Sequence, residues 1–136
     1  MRFVIDASIA VAWCFEDQSS PAVDALLDRV RAEGAIAPSL WHLELANLLL
    51  MAEKRGRITG ADTAARLDLI SALPVSVDHA TAARAWRETM TLARAQKLTA
   101  YDAAYLELAV RRKCPLATRD KALKDAALRA GVQVLP

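Results

Sequence analysis

Short apolar runs alternate along the chain with longer segments in which apolar residues recur at helical spacing, which predicts an α/β fold. Strands are predicted at residues 3–5, 35–37, 74–77, 116–118 and 132–134, and helices over 21–33, 39–55, 59–70, 78–96, 99–112 and 121–129. Short, buried parallel strands need helices on both faces of their sheet. We therefore expect a three-layer α/β/α sandwich with a mainly parallel sheet of about five short strands.

Each predicted helix starts beside a residue whose side chain can accept a hydrogen bond from the first helical turn. These capping residues are Ser20, Ser39, Thr59, Asp78, Thr99 and Asp120. Gly34, Gly56 and Gly131 follow helical segments and can end them. The pattern predicts that helices occupy most of the chain.

The length of 136 residues is near the commonest size of one domain, so we expect a single domain over residues 1–136. A net charge of +2 neither requires nor excludes a nucleic-acid partner. Cys14 and Cys114 belong to no metal or redox motif, which suggests reduced thiols in a cytoplasmic protein. No apolar run approaches the roughly 20 residues of a membrane span, and no signal peptide is expected.

Four acidic residues occupy positions where the pattern calls for apolar side chains. Asp6 and Asp120 follow the first and fourth predicted strands, whereas Glu44 and Asp102 interrupt apolar faces of helices. A buried carboxylate without a partner costs several kcal/mol, so we expect the four to converge on a cation. Oxygen ligands alone suit Mg²⁺ or Mn²⁺ better than Zn²⁺.

Each acid also has a structural explanation. Asp6 can be a turn residue after a strand, and Asp120 can be a helix cap. Glu44 and Asp102 can instead form buried ion pairs with arginine. The sequence has no nucleophile elbow and no glycine-rich phosphate loop, so nucleophilic catalysis is poorly supported.

The segments around these acids resemble those of PIN-domain ribonucleases, most closely the VapC toxins of VapBC toxin–antitoxin pairs. The resemblance rests on Asp6-Ala7-Ser8, Glu44 in a leucine-rich helix, the segment 101–109 and the segment 117–123. It implies a metal-dependent endoribonuclease with Asp6, Glu44, Asp102 and Asp120 as catalytic residues. Asp6, Asp102 and Asp120 would hold Mg²⁺ or Mn²⁺, supported by the hydroxyls of Ser8 and Thr118.

The resemblance also implies hydrolysis of RNA to 5′-phosphate and 3′-hydroxyl products, and a VapB-like antitoxin as partner. The predicted helix is apolar on more than one face over residues 40–51, which favours a homodimer or a larger assembly with the antitoxin. Arg119 and Lys121 flank Asp120 and are candidates for phosphate contacts in RNA. No membrane partner is expected.

Two other functions remain open from the sequence. A catalytically weak PIN-like module would bind only RNA or a protein. A phosphatase with an aspartate nucleophile needs Asp-x-Asp after the first strand, but Ser8 stands at the second position. The three tryptophans are scattered, so we expect them in the core or at an interface and expect no base-stacking platform.

Overall fold

The computed structural model describes residues 2–136, which form a mixed α/β fold around a five-stranded parallel sheet. The strands are β1 (Phe3–Ile5), β2 (Ala35–Pro38), β3 (Val75–Asp78), β4 (Leu116–Ala117) and β5 (Val134–Leu135). Their order across the sheet is β3-β2-β1-β4-β5, and every neighbouring pair is parallel. The predicted α/β fold with a parallel sheet is confirmed, although the last strand begins two residues later than residue 132.

The helices follow the predicted order except for one additional helix after β1, and the helix predicted over residues 78–96 begins at Thr81 and is interrupted by a π-helical turn. They are α1 (Ala7–Cys14), α2 (Pro21–Glu33), α3 (Trp41–Lys54), α4 (Gly60–Ser71), α5 (Thr81–Arg84), α6 (Met90–Gln96), α7 (Ala100–Arg112) and α8 (Lys121–Arg129). A 3₁₀ turn occupies Glu16–Gln18, and a π-helical turn, Ala85–Thr89, joins α5 to α6. Within residues 2–136, no helix is long and apolar enough to cross a membrane.

Four of the predicted helix caps are confirmed. The side chains of Ser20, Thr59, Thr99 and Asp120 each accept a hydrogen bond of 3.1 Å from the backbone N–H three residues later. These bonds satisfy N–H groups that have no partner within the helix itself. The starts of α2, α4, α7 and α8 are therefore determined by local sequence.

Two predicted caps are wrong. Ser39 lies in a turn after β2, and α3 begins at Trp41 without a side-chain capping bond. Asp78 is the last residue of β3, and its carboxylate pairs with Arg111 of α7 at 3.0 Å. It also accepts the N–H of Ala80 at 3.0 Å, so it closes the turn before α5 and does not cap that helix.

Helix α1 is absent from the prediction. Its sequence, Ala-Ser-Ile-Ala-Val-Ala-Trp-Cys, has almost no polar face, and five of its residues are buried. A helix buried on most sides shows no amphipathic period, which is the signal that sequence analysis uses.

Strand β1 lies at the centre of the sheet, and all three of its side chains are fully buried. In the register of the sheet, Val4 lies opposite Ile36 on β2 and Leu116 on β4. Helix α1 packs against α2 and α3, and α7 packs against α6 and α8, and the right-handed crossovers usual in parallel sheets are expected to place these two groups on opposite faces. The carboxyl ends of β1 and β4 therefore meet at one edge, where the N–H of Asp6 bonds the carbonyl of Ala117 at 3.0 Å.

Candidate metal centre

Asp6 directly follows β1 at the carboxyl edge of the sheet and is only 6% exposed. It occupies the residue before α1, but its side chain makes no capping bond to that helix. Its Oδ2 instead accepts hydrogen bonds from Ser8 Oγ at 2.9 Å and from Thr118 Oγ1 at 2.7 Å. The structure thus places both residues that were predicted to support the site against Asp6.

The two hydroxyls are held in place by backbone groups of the segment after β4. Ser8 Oγ accepts the N–H of Arg119 at 3.0 Å, and Thr118 Oγ1 accepts the N–H of Asp120 at 3.0 Å. Each hydroxyl therefore donates to Asp6 and accepts from the chain, which determines the direction of both protons. This network joins the end of β1, the first turn of α1 and the loop before α8.

Replacing Thr118 with valine is expected to destabilise the fold by about 1–3 kcal/mol, because Thr118 is fully buried and a carboxylate and a backbone N–H lose their partner. Urea denaturation measures this difference. Thr118→Ser retains the hydroxyl and serves as the matched control. A loss in Thr118→Ser without a loss in Thr118→Val would show that packing of the methyl group, which only valine retains, and not the hydrogen bonds, is responsible.

Glu44 lies in the first turn of α3 and is half-buried. Its Oε1 accepts a short hydrogen bond from the hydroxyl of Tyr105, a fully buried residue of α7. Within the described residues Glu44 forms no salt bridge, so the partner is a tyrosine and not the arginine of the alternative explanation. Sequence analysis missed the role of Tyr105, although it lies three residues after Asp102 on the same helical face.

Asp102 and Asp120 lie in the first turn of α7 and at the start of α8. Asp102 is half-buried and makes no salt bridge within residues 2–136. Asp120 uses Oδ2 to cap α8 through the N–H of Leu123 at 3.1 Å. The capping explanation of Asp120 is therefore correct, and its other carboxylate oxygen remains available for a second role.

The protonation behaviour of the acids shows that they act on one another. Burial raises the pKa of Asp6, and the negative charge of Asp120 adds to this rise. Burial also raises the pKa of Asp102 from its ordinary 3.8 to about 6, with further contributions from Asp120 and Asp6. The pKa of Glu44 is raised by burial and by the charges of Asp6 and Asp102. The four predicted acids therefore form one electrostatically coupled group.

The donor set of this group fits a hard divalent cation. Among residues 2–136, no three Asp, Glu, His or Cys side chains are spaced so that they could hold a metal ion. The group nevertheless supplies only carboxylate oxygens, and a cation among them would relieve both their repulsion and their desolvation. Mg²⁺ and Mn²⁺ prefer such ligands, whereas nitrogen and sulfur ligands typical of zinc are lacking from the group.

The two cations predicted to contact RNA do not pair with the four acids. Arg119 donates from its guanidinium to Gln18 Oε1 at 2.7 Å. Lys121 pairs with Asp125 at 2.9 Å on the exposed side of α8. Both side chains lie at the surface beside Asp120, and their contact with RNA stays a prediction.

A comparison with models of known protein families identifies the family of this chain. A model of the PIN domain matches residues 3–128. The chain belongs to the PIN domain family. PIN domains are generally nucleases, and PIN nucleases typically use divalent metal ions. Among curated proteins, no sequence matches this chain.

Two solved structures share the PIN fold of this chain. PAE2754 from Pyrobaculum aerophilum is 23% identical with a TM-score of 0.73, over 98% of this chain and 90% of that one. FitAcB from Neisseria gonorrhoeae is 17% identical with a TM-score of 0.67, over 98% of this chain and 96% of that one. At these identities the similarity concerns the fold.

Proposed function

We propose that this PIN protein is a metal-dependent endoribonuclease that hydrolyses RNA phosphodiester bonds to 5′-phosphate and 3′-hydroxyl products. The observation that carries the proposal is the coupled group of Asp6, Glu44, Asp102 and Asp120 at the carboxyl edge of the sheet. Open parallel sheets bind their ligands at this edge. Carboxylates that retain charge against burial and mutual repulsion are characteristic of functional sites.

Asp6, Asp102 and Asp120 would hold Mg²⁺ or Mn²⁺. When bound, such an ion lowers the pKa of a water molecule and neutralises charge on the phosphate. Ser8 and Thr118 keep Asp6 oriented by holding its Oδ2. Tyr105 holds one oxygen of Glu44, so the other oxygen can accept a hydrogen bond from the attacking water.

The wider proposal is a toxin of the VapC type, neutralised by a VapB-like antitoxin. It is supported by the sequence resemblance and by the exposed leucines of α3, where Leu43 and Leu50 are 77% and 56% exposed. Exposed apolar residues on one helix favour a protein interface with a second copy or with the antitoxin. Mixing the chain with the product of a small neighbouring reading frame should then suppress cleavage, and undiminished cleavage by that mixture would contradict the toxin proposal.

A catalytically weak PIN module remains the second candidate. It is favoured by the lack, among the described residues, of any three acidic, His or Cys side chains spaced for a metal ion. Such a module would bind RNA or a protein without cutting it. The four acids nevertheless lie close enough to raise one another's pKa, and side-chain rotamers commonly change on binding, which is why we favour the nuclease.

The nuclease proposal predicts internal cuts in RNA that depend on a divalent ion. Purified protein is incubated with a pool of RNAs in Mg²⁺, in Mn²⁺ or in chelator, and the ends of the products are mapped. We expect 5′-phosphate ends with either ion and intact RNA in chelator, because the carboxylates need a cation to bind phosphate. Cleavage that survives chelation, or binding without cleavage in both ions, would reject the proposal.

A further inference from the structure

The helical segment before α7 exposes an aromatic and basic face. Trp86 is 88% exposed, so of the two places expected for the tryptophans, the core and an interface, it does not occupy the core. Met90 and Arg94 lie four residues apart on one face of α6, Lys97 directly follows the end of α6, and Arg87 is adjacent to Trp86. We call these residues, Trp86, Arg87, Met90, Arg94 and Lys97, the basic strip.

The positive charge of the basic strip is not neutralised by the chain itself. Within the described residues, the side chains of Arg87, Arg94 and Lys97 form no ion pair or hydrogen bond. Arg87 of the strip and Glu88, the acid of this segment, both line a cavity of about 660 Å³ between α6 and α7, but within the described residues Glu88 forms no ion pair with Arg87. The strip is therefore a surface of uncompensated positive charge around an exposed indole.

The backbone beneath Trp86 and Arg87 is unusual. Both residues lie in the π-helical turn Ala85–Thr89, which interrupts an otherwise α-helical segment. Single π turns are rare and occur frequently at functional sites. Trp86 is therefore presented from a rare backbone conformation.

The basic strip leads toward the acidic group. Only the turn 97–99 separates α6 from α7, so the two helices pack as an antiparallel pair, and residues of both line the cavity between them. The end of α6 consequently lies beside the first turn of α7. That turn contains Asp102 and the neighbouring Tyr101, which is itself 67% exposed.

We propose that the basic strip binds single-stranded RNA on its way to the acidic group. The indole of Trp86 stacks on an unpaired base, and Arg87, Arg94 and Lys97 contact the phosphates on either side. Aromatic stacking combined with a positively charged track is how proteins bind single strands without reading their sequence. The proposal rests on the nuclease function above and adds that the substrate is unpaired where it crosses α6.

The positive charge of the basic strip favours RNA over an apolar protein as its ligand. An apolar protein partner would leave Arg87, Arg94 and Lys97 desolvated without counter-charges, which costs free energy. A polyanion with flat bases satisfies both the cations and the indole. A protein interface at Trp86 is the competing outcome of the test below.

The test measures binding separately from cleavage. Affinity for a short unstructured fluorescent RNA is determined with Asp6→Asn, a background in which cleavage is blocked. Adding Trp86→Ala should weaken binding by about 5- to 100-fold, whereas Trp86→Phe should retain most of it because a ring remains. Replacing Arg87, Arg94 and Lys97 together with glutamine should reduce the slope of log affinity against log salt by roughly 2.

The matched control replaces Lys54 and Arg55 with glutamine, since these exposed cations end α3, ten or more residues beyond Glu44. Their removal should leave affinity and salt slope unchanged. An exposed Trp86 contributes little to folding, and an unchanged thermal midpoint verifies this for each variant. Quenching of tryptophan fluorescence on RNA binding that is lost in Trp86→Ala provides a direct sign of stacking, because Trp13 and Trp41 remain in that variant.

Each result has a defined meaning. Unchanged RNA affinity in Trp86→Ala overturns the proposal, and a changed oligomeric state with unchanged RNA affinity assigns the strip to a protein interface instead. If RNA binds through Trp86 but the unmodified chain never cuts it, the proposed nuclease function is rejected and the proposed RNA-binding role of the basic strip is supported. If the chain cuts RNA while the variants bind RNA normally, the RNA-binding role of the basic strip is rejected and the proposed nuclease function is retained.

Discussion

Asp6→Asn is expected to lower metal-dependent RNA cleavage roughly a thousandfold and to leave the fold intact. Asparagine has nearly the same shape as aspartate, and its carbonyl can still accept the hydroxyls of Ser8 and Thr118. The substitution removes one negative charge from a buried group that we propose as a metal ligand. Binding of Mg²⁺ and catalysis should therefore fall together, while the hydrogen-bond network remains.

Initial cleavage rates and thermal midpoints with and without Mg²⁺ measure both effects. Asp68→Asn is the matched control, because Asp68 is an exposed carboxylate on α4. We expect Mg²⁺ to raise the midpoint of the unmodified chain and of Asp68→Asn, but not of Asp6→Asn. Full cleavage activity in Asp6→Asn would contradict the assignment of Asp6 to the catalytic site.

In chelator, Asp102→Asn is expected to raise the free energy of unfolding at neutral pH by about 1–2 kcal/mol. The carboxyl of Asp102 has a pKa of about 6 in the fold and about 3.8 in an ordinary setting, because burial and the charges of Asp120 and Asp6 disfavour its ionised form. Above pH 6 the folded protein holds this unfavourable charge. The expected gain is discounted because Asp102 is only half-buried.

The pH dependence gives the prediction its sign. Between about pH 4 and pH 6, the folded chain keeps a proton on Asp102 that the unfolded chain has released. The free energy of unfolding therefore decreases as the pH rises through this window. Asparagine does not titrate, so the advantage of Asp102→Asn should grow from near zero at pH 4 to its full value above pH 6.

Denaturant titrations of both proteins at several pH values, all in chelator, measure this difference. Asp68→Asn again serves as the control, with no gain that grows with pH. A destabilised Asp102→Asn at pH 7 would mean that Asp102 already has a compensating partner in the metal-free fold. That result would remove the electrostatic argument for a cation at this site.

The effects expected for Asp6→Asn and Asp102→Asn together describe a trade-off between stability and catalysis. The unmodified chain keeps buried, mutually repelling carboxylates that lower its stability when no cation is bound. Functional sites commonly retain such costs, and substitutions that relieve them tend to abolish activity. A gain in stability accompanied by loss of cleavage is thus the pattern expected of a site maintained for chemistry.

Much of the fold was predictable because its signals are local. Ser20, Thr59, Thr99 and Asp120 each bond an N–H three residues away, so a short stretch of sequence determines where the helix starts. The parallel sheet followed from the alternation of short apolar runs with helices. The acids could be identified from the sequence because a charged side chain is unexpected among apolar neighbours.

The remaining features depend on contacts between distant residues. Tyr105 and Glu44 are 61 positions apart, and no local pattern pairs them. Asp78 has the composition of a helix cap, but the guanidinium of Arg111, 33 residues later, binds its carboxylate instead. Trp86 was expected in the core or at an interface, and only the fold shows that it does not lie in the core.

The hydroxyl network around Asp6 also determines when the candidate site can become ordered during synthesis of the chain. Asp6 is synthesised early, but Thr118, which donates a hydrogen bond to the carboxylate of Asp6, follows 112 residues later. The backbone N–H of Thr118 in turn donates to the carbonyl of Leu135 at 3.2 Å. A nascent chain on the ribosome thus lacks an ordered site until nearly all of residues 2–136 have emerged. A nuclease of this design would stay harmless to the messenger RNA that encodes it while translation of that chain continues.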